Sequence, residues 1–485
     1  MTHKEIPHWD AEDEAAWEAG NKTIAKRNLL WAILSVHLGY SVWALWPVLE
    51  LFMPRDVYGF SAGDKLLLGV TATLTGACLR TPYALATAIF GGRNVSMFSA
   101  FVLLIPVVGA MVLLAHPGLP LWPYLVCAAL TGLGGGNFAA SASNANAFYP
   151  HRLKGSALGL AGGIGNLGVP MIQLVGLVVI AIAGDRRPYW VCGLYLALLT
   201  VTGIGATLFM NNVAPHRVEA KRLWSILSAV LHTRDTWLLA LLYLGTYGSF
   251  IGLAFAFGQI LQTGFIAGGQ TSSAAALHAA ELAFIGPLLA ALTRVYGGRV
   301  ADRVGGGRVT LVVFVFMVVV AGLLVGIGEV EDPHAGPVSD GVMVAYVACI
   351  IALFALAGLG NGSVYKLIPT VFEALGRPSD ADEQRSRILS GVVIGFVAGF
   401  GTLGGVLINL ALRQSYLSAG TMTPAFGIFL AFYVVAALLT WTRYVRAVTR
   451  SDSPGAASRR SAVVRGYRIR RPASRRRGVA RGTDR

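Results

Sequence analysis

Twelve apolar runs of about 20 residues follow one another along the chain, beginning near Leu29, Leu66, Val95, Trp122, Gly155, Tyr189, Thr236, Ser273, Arg308, Gly341, Ile388 and Thr423. Short polar connections separate them. A helix of that length crosses the hydrocarbon core of a bilayer and satisfies its own backbone there, so the pattern predicts an all-α membrane protein with twelve transmembrane helices. Composition agrees: 55 % of the 485 residues are hydrophobic and 13 % charged, which excludes a soluble domain of this size.

The first run follows an acid-rich leader (Glu5, Asp10, Glu12, Asp13, Glu14, Glu18) and precedes eleven more, so it reads as a span and not as a cleaved signal peptide. Lys and Arg concentrate in the connections on the side of the N-terminus, among them Lys26, Arg93, Arg152, Arg222, Arg299, Arg308 and Arg385, which places both termini in the cytoplasm. From Arg443 onward fourteen arginines face two aspartates, so most of the formal charge of +15 belongs to the tail and not to the membrane body. Nucleic acid is therefore not the expected partner. The tail is read as a disordered extension that reinforces orientation, or as a contact for anionic lipid headgroups. Cys78, Cys127, Cys192 and Cys349 lie within apolar runs without C-x-x-C spacing and give no reason to propose a disulfide or a zinc site.

A repeat is written in the glycines. Gly155, Gly159, Gly163, Gly165 and Gly168 recur with identical gaps as Gly391, Gly395, Gly399, Gly401 and Gly404, an offset of 236. GLGGGN (Gly132 to Asn137) matches GLGNGS (Gly358 to Ser363) at an offset of 226, and Arg80, eleven residues before Gly91-Gly92, matches Arg294, eleven residues before Gly305-Gly306, at 214. Offsets that rise along the chain describe two copies of one six-helix unit, the second with longer loops. The predicted organisation is a leader (1–28), a six-helix bundle (29–212), a central cytoplasmic loop (213–235), a second six-helix bundle (236–447) related by a pseudo-two-fold axis, and the tail (448–485). This is the major facilitator architecture. GGRVADRVGGGR resembles that superfamily's cytoplasmic loop, with Gly298, Asp302, Arg303 and Gly305 at its motif positions. Glycines spaced by four also make grooves for close helix packing, which explains most of them but not Asn166, a polar residue inside the first groove.

A charge at the centre of a membrane helix costs about 3 kcal/mol on insertion scales, so it is paired or functional. Eleven residues of helix put Arg80 and Arg294 each about 16 Å above their Gly-Gly ends, near mid-bilayer. Two-fold related, they face one cavity, where like charges repel. Glu50 and Glu281 lie too far out to neutralise them. A ligand must then supply the counter-charge, and the planar, forked guanidinium suits a small planar monovalent anion. With no carboxylate at the site, exchange of one anion for another is favoured over proton coupling. His37, about 12 Å into the first span, is the one titratable group there that could carry a proton, or else it is a hydrogen-bonded packing residue.

The stretches LRTPYALATAIFGGR, GLGGGNFAASASNANAFYPHRLKGSALGLAGGIGNLG, YLGTYGSFIGLAFAFGQ and GLGNGSVYKLIPTVF together resemble the nitrate/nitrite porter family of the major facilitator superfamily, from about Trp31 to Tyr444. The resemblance implies that Arg80 and Arg294 are paired anion-binding arginines and that Asn166 and Tyr243 donate hydrogen bonds to the anion. It implies that Phe138 and Tyr247 wall the pocket, Tyr247 standing where many relatives are expected to have Phe, and that the neighbourhoods of Gly135, Gly162, Gly360 and Asn361 let helices slide.

The expected function is thus secondary transport of nitrate and nitrite across a bacterial cytoplasmic membrane by alternating access, without a cofactor, by a monomer. The expected mode is nitrate/nitrite antiport, with proton-coupled symport as the alternative. Residues alone reach only a small monovalent anion, with bicarbonate and formate still open. A cation transporter would want acidic groups at the cavity centre. An enzyme would want H-E-x-x-H, G-x-S-x-G or P-loop spacing, which is missing here. A transport-derived sensor would use the tail as its output.

Overall fold

The computed structural model describes residues 5–184, 187–213, 228, 230–331, 340–375 and 380–446. Most of the expected central loop, and the whole expected tail, lie outside the described residues.

The described chain is helical apart from one small ribbon. We number the long helical segments α1 (Glu14–Trp43, then Leu45–Phe52 after a 48° bend), α2 (Ala62–Phe90), α3 (Gly92–Ala115), α4 (Leu121–Thr131, tighter over Gly132–Gly136, resuming as Asn137–Phe148), α5 (His151–Asn166, then Gly168–Ala183) and α6 (Tyr189–Phe209). The second set is α7 (Arg234–Ala267), α8 (Ser272–Ala283, then Ile285–Val304), α9 (Gly306–Glu331), α10 (Asp340–Leu375), α11 (Asp380–Ala419) and α12 (Thr423–Thr440). Among the described residues ten helices are long and apolar enough to cross a membrane, eleven with the bent α1. At 29 residues, α2 is about 44 Å long and is the twelfth, so the count matches the pattern of apolar runs.

The breaks have one chemical cause. Helices α1, α3, α5 and α8 turn at Ala44, Leu103, Leu167 and Phe284, and three residues beyond each stands a proline: Pro47, Pro106, Pro170 and Pro287. Proline lacks the N–H that would bond the carbonyl four residues back, and that carbonyl belongs to the last residue before each turn.

The two copies pack alike. Gly132 on α4 meets Ala72 and Gly76 of α2, and its repeat mate Gly358 on α10 meets Ala290 and Thr293 of α8. Gly168 on α5 lies against the backbone of His37 in α1, and Gly404 on α11 lies against Leu244 and Gly248 of α7. These are backbone approaches that only a missing side chain allows. The repeat in the sequence is therefore a repeat of helix–helix contacts.

We call the end of the bundle that bears Glu14 and Gly91 the terminal end, and the other the distal end. At the distal end the halves are tied by side chains that donate to backbone carbonyls of the opposite half. Gln173 bonds Ala254 O at 3.0 Å, Gln262 bonds Leu51 O at 3.4 Å, and Arg413 Nε bonds Gly63 O at 3.1 Å. Trp43 of α1 and Phe255 of α7 pack ring to ring, with centroids 5.3 Å apart.

At the terminal end the leader is folded onto the first half. β1 (Glu5–Ile6) pairs in parallel with β2 (Asn212–Val213), and Trp9 and Trp17 pack edge-on against Phe148 and Tyr149. The aspartate of the loop motif, Asp302, forms an ion pair with Lys366 of α10 at 2.7 Å.

Candidate functional site

Arg80 sits ten residues before the end of α2 and is 4 % exposed. Pro82 lies within the same helix, and its missing N–H frees the carbonyl of Cys78 just beside the charge. The Arg80 Nη2 donates to the hydroxyl of Tyr40 on α1 at 3.0 Å and to that of Tyr247 on α7 at 2.6 Å. Three rings flank its carbon Cζ: Tyr247 at 5.0 Å, Tyr40 at 5.8 Å and Trp43 at 5.8 Å. Trp43 is fixed in turn by a 2.9 Å bond from Nε1 to Ala72 O. The Nε of Arg80 is buried and has no partner.

Arg294, its repeat mate on α8, is half-buried and lies over the ring of Tyr365 on α10 at 5.3 Å. It reaches into the first half. A Cβ built on Gly162 of α5 would stand 3.4 Å from the Phe138 ring and 4.0 Å from Arg294 Nη2. On the other side of the joint a Cβ on Gly399 of α11 would stand 3.5 Å from Ala77 O and 3.8 Å from Arg80 Cβ, both of α2. Tyr247, which bonds Arg80, stacks on Tyr243, and the Tyr243 ring lies 6.2 Å from that of Tyr365 beneath Arg294, so a continuous row of phenol rings joins the two charges. Among the described residues neither arginine is paired with a carboxylate.

The remaining residues fall into two groups. Asn166 is 2 % exposed and ends the first segment of α5, where Pro170 breaks the helix; its Nδ2 is buried without an acceptor. Tyr243 stacks on Tyr247, with centroids 5.1 Å apart and planes 12° apart, and Phe138 faces Gly162. Phe138, Tyr243 and Tyr247 thus stand beside the arginines.

Gly135 and Gly360 instead serve packing. A Cβ at Gly135 would fall 2.9 Å from Gly76 Cα and 3.1 Å from the Trp43 ring; one at Gly360 would fall 2.5 Å from Thr246 Cγ2. Asn361, next to Gly360, is fully buried with both amide atoms unpartnered. His37 is placed on the α1–α5 contact, its Nδ1 2.9 Å from Ile164 O. Since that carbonyl only accepts, Nδ1 carries the hydrogen.

Three residues around the arginines escaped the reading of the sequence: Tyr40, Trp43 and Tyr365. Tyr365 lies inside the quoted GLGNGSVYK motif, but Tyr40 and Trp43 pass as ordinary members of an apolar run.

Two permanent charges from opposite halves, an unpartnered amide N–H and several phenols are groups that can together receive a small anion. Residues 31–381 match the Major Facilitator Superfamily. The chain is 33 % identical to "Nitrate/nitrite transporter NarU" of Escherichia coli (strain K12), over 90 % of this chain and 96 % of that one. It is 29 % identical to "Probable nitrate/nitrite antiporter NarK2" of Thermus thermophilus, over 91 % and 96 %. The crystal structure of a D-xylose-proton symporter superposes with a TM-score of 0.60 at 14 % identity, covering 86 % of this chain and 97 % of that one, a likeness of fold alone.

Proposed function

The chain belongs to the nitrate/nitrite porter family of the major facilitator superfamily, a multi-pass membrane transporter and not an enzyme, and we propose that it exchanges nitrate for nitrite across a bacterial inner membrane. The observation that carries this reading is the crossed arrangement of the arginines. Arg80 of the first half bonds Tyr247 of the second, and Arg294 of the second half reaches Gly162 and Phe138 of the first. An anion between them is held by both halves at once, and it cancels a repulsion that otherwise opposes their approach.

Alternating access follows from that geometry. The distal ties close the bundle on one side of the site. With the basic connections in the cytoplasm, the tied distal end faces outward. For the other side to open, the halves must rock about the arginines, and an anion bridging them stabilises the passage through the state in which both ends are shut. Asn166 Nδ2 and the Tyr243 hydroxyl complete the donor set around the anion. Among the described residues neither Arg80 nor Arg294 is paired with a carboxylate that could exchange protons, which supports exchange over proton symport.

Counterflow in proteoliposomes tests the reading. Nitrate uptake should require internal nitrite or nitrate, at every pH between 6 and 8, and should persist in His37→Gln. Uptake into anion-free vesicles driven by a proton gradient, abolished by the same substitution, would establish symport instead.

A further inference from the structure

The two arginines are related by the repeat, yet their surroundings differ. Arg294 has the ring of Tyr365 beside it, whereas Arg80 has three rings and two hydroxyls. Both hydroxyls bond one nitrogen, Nη2, which has two hydrogens, so that amino group is fully engaged within the protein. A phenol oxygen that accepts still has its own O–H to give. The two hydroxyls also hydrogen-bond one another, so the pair keeps one O–H to give beside Arg80, while the Nε–H of Arg80 has no partner.

An added donor discriminates between anions by what is left unmade. A site built to hydrogen-bond a group rejects the analogue that lacks it, because a buried donor then stays unsatisfied. Nitrate offers three oxygens in a plane and nitrite two. The Nε–H of Arg80, the fork of Arg294, the amide of Asn166, the Tyr243 hydroxyl and the one O–H left to the Tyr40–Tyr247 pair make a donor set that two oxygens do not fill.

We propose that Tyr40 is a specificity-determining residue of the anion site, whose hydroxyl, aimed by Arg80 and paired with that of Tyr247, selects nitrate over nitrite. The proposal rests on the reading of the chamber as a nitrate/nitrite site. Tyr40 is fit for the task because it is held still: it is 2 % exposed, its ring packs on Trp43 at 5.4 Å, and Trp43 is bonded to α2. It lies on α1, and its hydroxyl meets that of a residue on α7 at one nitrogen of α2. The discrimination is thus built at the joint between the halves.

Isothermal titration of the purified full-length protein with sodium nitrate and with sodium nitrite tests this. Tyr40→Phe keeps the ring and removes the hydroxyl; it should weaken nitrate binding about tenfold and leave nitrite within about twofold, so that the ratio of the two affinities falls. Tyr247→Phe should lower the same ratio, and it carries the test if the first variant does not fold. An equal loss for both anions would mean that the hydroxyl only positions Arg80, and an unchanged ratio would mean that it touches neither anion; each result overturns the proposal. If the unaltered protein binds neither anion, the transport reading itself fails and this inference with it.

Discussion

Arg294 of the second half ends 4.0 Å from the point where a Cβ on Gly162 of the first half would stand. The glycine that belongs to one copy of the repeat makes room for the arginine that belongs to the other. Gly399, the repeat mate of Gly163, faces the base of Arg80 across the joint between the halves, at Cβ and not at the guanidinium. The spacing of glycines therefore serves two ends at once: close packing within each half, and clearance for a guanidinium that crosses between them.

Gly162→Val tests the clearance. The first added carbon makes ordinary contact with Phe138, so the fold should survive with a melting temperature near that of the parent. The two methyls beyond it enter the space of the guanidinium, and exchange should fall by about a hundredfold, the order expected when a binding group is displaced by about 1 Å. Exchange rates and thermal unfolding measured on one preparation separate the two effects.

Arg413→Gln tests the distal closure. It removes a charged donor from Gly63 O, worth about 1 kcal/mol, and should raise the population open at that end roughly fivefold. Spin labels at Val57 and Ser418, both exposed and on opposite halves, would report a longer distance in that added population. A distance distribution identical to the parent's would show that the tie does not hold the end shut.

Much of this was legible because charge in an apolar run is expensive and therefore conspicuous. Arg80 and Arg294 announced themselves by type, depth and matching offset, and Asn166 by its place inside a glycine groove. Tyr40 and Trp43 did not, since an uncharged aromatic at a helix position carries no penalty that would mark it, and its role exists only once α1, α2 and α7 are brought together. Each apolar run was read as one straight span, whereas Pro47, Pro106, Pro170 and Pro287 break four of them by withholding an N–H. The resemblance gives Gly135 and Gly360 the role of letting helices slide, and both stand at close helix–helix contacts, with Gly76 and Trp43 and with Thr246.

Gly360→Ala tests that placement. The new methyl would lie 2.5 Å from Thr246 Cγ2 and 3.0 Å from Val313 Cγ1, an overpacking that costs about 1–3 kcal/mol. Thr246→Ser removes the nearer methyl and keeps the hydroxyl, so the double variant should regain most of the lost thermal stability. Additive losses in that cycle would place the strain elsewhere.

Equilibrium dialysis of nitrate against the purified protein addresses the clamp itself. One anion should bind per chain; Arg80→Lys and Arg294→Lys should each weaken binding at least a hundredfold while preserving charge, and the double variant should be scarcely worse than either, because both arginines hold the same anion. Two anions per chain, or a single lysine variant that binds as the parent does, would contradict a shared site between the halves.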